Sequence, residues 1–383
     1  MTSSSVGAAV IVRRTGPKLA SVIGPARRAS DSAGSLATMI VLLHQDWPGE
    51  LDGLRLAVAS LRRHCPDLPV LASCPRASKE LSQWLRERCA AGVHTGDEFA
   101  DLGWNVKPKL LRWALELGHQ QVLWLDADVV AAADFRLRLP PDGDVFVAAE
   151  EFAWGQLPGS AARTAAWGLP VGRVLERTAN TGVVRVSRSH RALLEDWDQL
   201  LVREDYRTAQ QEHATARPLH LVSDQDALTA LLGSAAYADL PLHLLRRGRD
   251  IAQCAGPSGF TPGERIVSLW RGLPPLIHAV GVKPWHHGAY WRYDGGRLAR
   301  LRASYEDLHS RLSPYTVVAC GLAEEAGVSV ESYRPRTAAE RVILRWGRRW
   351  PQLPELPLAL GDTAVRWIRK VVAIGRYRHS PTR

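Results

Sequence analysis

The 383-residue sequence predicts an α/β fold in which helices flank a parallel sheet. Strand-like and helix-like stretches alternate from Met39 onward, the pattern of βαβ units. At the centre, Val122-Leu-Trp-Leu125 runs without a polar break, as expected of a strand covered on both faces. That run meets Asp126-Ala-Asp128, two carboxylates at the strand edge where open α/β sheets present ligands. Two aspartates one residue apart can share a hard cation such as Mg²⁺ or Mn²⁺ through oxygen ligands.

Taken in order, residues 1–37 are rich in Ser, Ala and Gly with no repeating apolar pattern, the composition of a disordered leader. Their apolar patch, Val6 to Val12, precedes Arg13 and Arg14, the reverse of a secretory signal. Met39-Ile-Val-Leu-Leu43 is the first buried strand. Leu51, Leu54, Val58 and Leu61 then fall on one face of a helix over 51–64. Val70-Leu-Ala72 makes a second strand, and Leu81, Trp84 and Leu85 give a helix over 78–91. No G-x-G-x-x-G follows the first strand, which argues against a dinucleotide-binding Rossmann domain.

Gly103 to Trp113 opens a helix that runs to Gly118, with Pro108 in its first turn beside Lys107 and Lys109. Beyond the central strand, Asp144 to Glu150 is a strand ending in acids, and residues 153–178 read as a long loop or lid with a short helix. Asn180-Thr-Gly-Val-Val-Arg-Val186 enters another strand, and a helix follows over 191–201. Ser223 is placed to cap a helix opened by Asp224-Gln-Asp226. A Pro/Gly-rich region, 256–275, leads to Leu276-Ile-His-Ala-Val-Gly-Val-Lys-Pro-Trp285.

Composition narrows the class. With 46% hydrophobic and 23% charged residues, the chain is globular, and no apolar run approaches the roughly 18 residues of a transmembrane helix. Five widely spaced cysteines without a C-x-x-C pair argue for a reducing compartment and against a disulfide framework or zinc site. The net charge of +10 sits at the ends: residues 336–383 carry eleven Arg/Lys against three acids. With a near-neutral body and no recognition motif, nucleic-acid binding is not expected.

The order of these motifs resembles a GT-A glycosyltransferase, and over residues 38–288 it is most similar to glycosyltransferase family 8, the group of glycogenin and lipooligosaccharide galactosyltransferases. His278-x-x-Gly281-x-Lys283-Pro284-Trp285 is its most specific part. The resemblance implies a Rossmann-like mixed, mainly parallel sheet flanked by helices, with a basic helical extension at the C-terminus. It implies a divalent cation, Mn²⁺ or Mg²⁺, held by Asp126, Asp128 and His278, with Lys283 and the turn at Gly281 meeting the diphosphate of a nucleotide sugar. Lys109 matches a basic residue near the phosphates or sugar, although Lys107 opens the same helix. Asn180, Asp224 and Gln225 match positions near the anomeric carbon, and Asp46 a position holding the base. Thr181 stands where Ser is usual, and His44-Gln-Asp46 replaces Ala-x-Asp, which leaves the base preference open. Glu150 and Glu151 are further candidates for sugar hydroxyls, Trp154, Trp270 and Trp291 for stacking on sugar rings, and Trp285 to His287 for the rim of the site.

The expected activity is transfer of a hexose, with retention, from a nucleotide-diphosphate sugar to a glycan or glycolipid acceptor; a UDP-sugar is the expected donor. Chemically, a divalent ion and a lysine would neutralise charge on the leaving phosphate. Three regions are expected: the leader 1–37, a catalytic domain 38–315 and a basic amphipathic tail 316–383. In the tail, Glu340 to Trp350 and Thr363 to Ile374 combine Arg with Trp, Val and Ile, a pattern suited to an anionic membrane surface. This places the chain in the cytoplasm, peripheral on the inner face of the membrane. Two rivals are a degenerate GT-A scaffold, which would lack a metal ligand, and a phosphohydrolase with an Asp-x-Asp nucleophile, which would carry that motif on an early strand.

Overall fold

A computed structural model of the chain describes residues 39–151, 159–213, 216–281, 283–285, 296–329, 333 and 337–378. The expected leader, Trp154, Trp291, His286 and His287 lie outside the described residues.

The first half holds the predicted β1 (Met39–His44), α1 (Leu51–His64), β2 (Val70–Ser73), α2 (Lys79–Arg86, shorter than expected), α3 (Lys107–Glu116) and β4 (Gln121–Asp126), and adds two three-residue strands, β3 (Gly92–His94) between α2 and α3 and β5 (Val129–Ala131) after β4. Then come β6 (Phe146–Glu150), α4 (Ser160–Ala166), β7 (Ala179–Ser187), α5 (Arg191–Leu201), α6 (Glu204–Gln211), α7 (Asp224–Leu232), β8 (Leu242–Leu245) and β9 (Ile251–Gln253). The chain closes with α8 (Pro262–Arg271), β10 (Leu276–His278), α9 (Arg297–Leu312), α10 (Pro314–Ala326), α11 (Ala338–Gly347) and α12 (Leu356–Arg378).

Seven strands form one sheet in the order β3-β2-β1-β4-β7-β6-β8. The run from β3 to β4 is parallel, β7 is antiparallel to both its neighbours, and β6 pairs parallel with β8. The sheet is therefore mixed and mainly parallel. Its two faces follow the strand period of two. Ile40, Leu42, Val122 and Trp124 pack under α3, α5 and α7, through Leu110, Leu193, Trp197 and Leu228. Met39, Val41, Leu43, Leu123 and Leu125 pack under α1 and α2, through Leu54, Val58, Leu81 and Leu85. The unbroken apolar runs thus belong to strands covered twice.

A second sheet, β5-β10-β9, continues from the end of β4. Its register sets His278 of β10 opposite Val129 of β5, and the Ala279 amide donates to the Asp128 carbonyl at 3.0 Å. Backbone pairing alone thus brings residues 126–128 and 278 together.

The Pro/Gly-rich stretch 256–275 contains a whole helix, α8, because its Pro and its acid act as start signals. Thr261 accepts from the Glu264 amide while the Glu264 carboxylate accepts from the Thr261 amide at 2.7 Å, with Pro262 in the first turn. Helix α10 packs into the body of the protein. Tyr315, Ala319, Leu322 and Ala326 of α10 are fully buried in one cluster with Leu56, Val130, Phe260 and Ile277. Further on, the buried Glu355 carboxylate pairs with Arg265 of α8 at 2.6 Å.

Candidate active site

The site lies where β4 ends. Asp126 accepts from the Trp124 indole at 2.7 Å and faces the ammonium of Lys107 at 3.2 Å. Lys107 opens α3 and points into the protein, where its Nζ also meets Asp224 Oδ2 at 3.3 Å and donates to Thr181 Oγ1 at 2.9 Å. One buried cation thus joins the end of β4, a bulge in β7 and the start of α7. Burial alone would lower the Lys107 pKa, but Asp126 and Asp224 outweigh it and hold the ammonium above its usual range. Burial would likewise raise Asp126, yet Lys107 and then His278 keep it below the ordinary carboxylate range. Asp224 is pushed up by burial, with Lys107 opposing.

The bulge is what frees this part of β7. Pairing with β6 jumps from Ala148 opposite Val184 to Ala149 opposite Asn180, so Thr181, Gly182 and Val183 have no partners on β6. Gly182 is required there: a Cβ would stand 2.5 Å from His278 Cε1 and 2.8 Å from its Nδ1.

Asp126, Asp128 and His278 each offer an atom within 4.8 Å of the others. His278 Nε2 lies 3.2 Å from Asp128 Oδ1 and 3.9 Å from Asp126 Oδ2, while its buried Nδ1 has no hydrogen-bond partner among the described residues. Burial drives the imidazole pKa down to about 4, so the ring is neutral, as ligation requires. Two carboxylates and a neutral imidazole fit Mn²⁺ well and Mg²⁺ less well. The Lys283 ammonium contacts Asp128 and the Ala279 carbonyl, and burial pulls its pKa down to about 8.

Beside this cluster, Gln225 is oriented from both ends. Its Oε1 accepts from Asn180 Nδ2 at 2.9 Å and its Nε2 donates to Glu151 at 3.0 Å. Glu151 is itself held by Arg163 at 2.8 Å, which also faces Asp226 at 3.3 Å. A cavity of about 290 Å³ opens over the acids, lined by Asp46, Trp104, Lys107, Asp126, Asp128 and Lys283. Asp46 accepts from the Asp101 amide at 2.8 Å at its far side.

The structure therefore gathers Asp46, Asp126, Asp128, Asn180, Asp224, Gln225, His278 and Lys283. It does not gather Lys109, whose ammonium lies 3.8 Å from Asp198 beside Arg112. Lys107, two residues earlier, lines the cavity. Gly281 adopts φ +92, the left-handed region, and turns the chain between His278 and Lys283. Trp270 is 78% exposed on α8 and does not line this cavity. Glu50 and Trp104 were not singled out from sequence. Glu50 accepts from the Trp285 indole at 2.9 Å and both residues line the cavity.

No family model matches the chain, and no curated protein matches it. Among solved structures, it is similar to the bifunctional glycosyltransferase WbbM, with TM-score 0.46, 12% identity and coverage of 64% of this chain and 46% of that one. It is similar to the galactosyltransferase LgtC in complex with donor and acceptor sugar analogues, with TM-score 0.44, 16% identity and coverage of 70% and 96%. GlyE of Streptococcus pneumoniae follows, with TM-score 0.39, 14% identity and coverage of 75% and 63%. The chain thus spans about half the length of WbbM. Likeness at this level assigns no activity.

Proposed function

We propose that this chain is a metal-dependent glycosyltransferase of the GT-A type. It would move a hexose from a nucleotide-diphosphate sugar, with a UDP-sugar as donor, to a glycan or glycolipid, retaining the anomeric configuration. The observation that carries this reading is the convergence of Asp126, Asp128 and His278 within 4.8 Å, with two lysines lining the adjoining cavity. A bound Mn²⁺ or Mg²⁺ would supply Lewis-acid neutralisation of the diphosphate.

The chain's own residues would do the rest. Lys283, now against Asp128, is the cation within reach of a diphosphate. Lys107 holds Asp126 and Asp224 in one arrangement, so that neither carboxylate swings when the donor arrives. Asn180 and Glu151 fix the amide of Gln225, leaving one N–H and one carbonyl lone pair for the sugar or acceptor. Asp46 and Trp104, which line the same cavity, suit a nucleoside: a carboxylate for hydroxyls or base N–H groups and an indole for stacking. Exposed Val342, Trp346, Trp367 and Ile368, set among the arginines of 336–383, support work at an anionic membrane surface on the cytoplasmic side.

The test is thermal melting with nucleoside diphosphates and nucleotide sugars, each with Mn²⁺ and with EDTA. A ligand at a hundred times its Kd stabilises the native state by about 2.7 kcal/mol. One base should raise the melting temperature with Mn²⁺ only, and Asp128→Ala should lose the shift. A folded chain that responds to no nucleotide would instead be the scaffold.

A further inference from the structure

A second and larger cavity, about 810 Å³, lies between α1, α10 and α11 and shares no lining residue with the donor site. Its floor is apolar, with Val317 and Val318 of α10, Leu273, and Leu344 of α11. Its rim is cationic. Arg341 and Arg345 of α11 and Arg348 just past its end recur at helical spacing, and among the described residues no Asp or Glu lines the cavity. Their side chains have no acidic partner among the described residues, whereas Arg63, across the cavity, is paired with Glu325. Tyr333 also lines it, 2% exposed, with a hydroxyl that has no hydrogen-bond partner among the described residues.

A volume in the range of small-molecule sites, roughly 300–1,000 Å³, an apolar floor and three guanidinium groups without an acidic partner among the described residues describe an amphiphile with an anionic head. Guanidinium forks match phosphate oxygens in pairs, and a buried tyrosine hydroxyl can donate a further bond. We propose that this cavity binds one anionic phospholipid, its phosphate on Arg341, Arg345 and Arg348 and its acyl chain against Val317, Val318 and Leu344. The exposed Val342 and Trp346 of the same helix lie beside its mouth in sequence, which suits a lipid taken from a bilayer rather than from solution. This site does not depend on the donor reading.

Cys320 reports on it. Of the five cysteines it is the exposed one, and it lines the cavity, so a lipid in place should shield it from alkylation. The experiment measures N-ethylmaleimide modification of Cys320 in the full chain with dioctanoyl phosphatidic acid kept below its micelle concentration. Modification should slow saturably, while dioctanoyl phosphatidylcholine and inorganic phosphate should give little protection. Arg345→Gln combined with Arg348→Gln should raise the half-protecting concentration by about tenfold or more, since a hydrogen bond to a charged group is worth roughly that factor. Both arginines are exposed, so the variant keeps its fold. Equal protection by phosphatidylcholine would reduce the cavity to an apolar trap, equal protection by phosphate would make it a plain anion site, and no protection would leave it unoccupied. Each of the three overturns the proposal. None touches the nucleotide-dependent melting that tests the donor site.

Discussion

The Lys107 ammonium stands between Asp126 and Asp224. Removing one partner of a buried ion pair costs about 3–5 kcal/mol, since the remaining charge is left uncompensated. Lys107→Met should therefore destabilise the protein by that order and cut transfer activity by roughly a hundredfold, the scale for loss of one electrostatic contact in a site. Lys109→Ala should change melting and activity little; an equal loss in both variants would remove Lys107 from its assigned place. Gly182→Ala tests the neighbouring contact. Its methyl group would press on His278, so Mn²⁺ titration should show weakened binding, with a stability cost of about 1–3 kcal/mol from overpacking. Asp126 and Asp128 stand out in the sequence as an Asp-x-Asp at a strand end, and His278 stands out only through the family resemblance of its His-x-x-Gly-x-Lys run. The choice between Lys107 and Lys109 was not legible there. Two residues on a helix point about 200° apart, and only the packing of α3 on the sheet says which one faces inward.

At the scale of elements, the same limit separates what sequence showed from what it hid. Strands β1, β2 and β4 are apolar runs legible in the sequence; β3, β5 and β9 are three residues long, below the length at which periodicity speaks. Helix α8 was hidden by its own capping residues. The Gln225 support was hidden for another reason: Glu151, Arg163 and Asp226 come from three separate stretches and meet only after α4 packs on α7. Arg163 there faces two buried carboxylates. Burial accordingly lifts Glu151 to about 7 and Asp226 to about 6. An acid whose pKa is raised on folding binds its proton more tightly in the native state. Its contribution to stability is therefore full below the unfolded value and is lost as pH rises through about 7. Glu151→Gln should flatten the fall in melting temperature between about pH 5 and 8. An unchanged slope in that variant would mean that other groups take up the proton.

For the whole molecule, the C-terminal helices are of two kinds, and truncation separates them. Helix α10 belongs to the core: Tyr315, Leu322 and Ala326 are 0% exposed and cover the small sheet that carries His278. Burying a Leu-sized side chain is worth roughly 1.5–3 kcal/mol, against a total stability of about 5–15 kcal/mol for a domain. A chain ending at residue 312 should therefore aggregate or melt without cooperativity. A chain ending at residue 360 keeps α10, the buried Glu355–Arg265 pair and the fully buried Ala359, and loses only the end of α12. Up to Ile368 that end is exposed, with Trp367 at 67%, and from 361 onward it holds six Arg/Lys against Asp362 alone. Such a segment contributes little to folding and much to attraction by anionic lipid, at about 1 kcal/mol per cation near the surface. The shorter chain should keep its cooperative melt and its Mn²⁺-dependent nucleotide response. In co-sedimentation at low salt it should bind vesicles containing acidic lipid far more weakly than the full chain does, and added salt should narrow the gap by screening. Equal binding by the two chains would shift the membrane-facing role from α12 to α11 and the arginine-rimmed cavity beneath it.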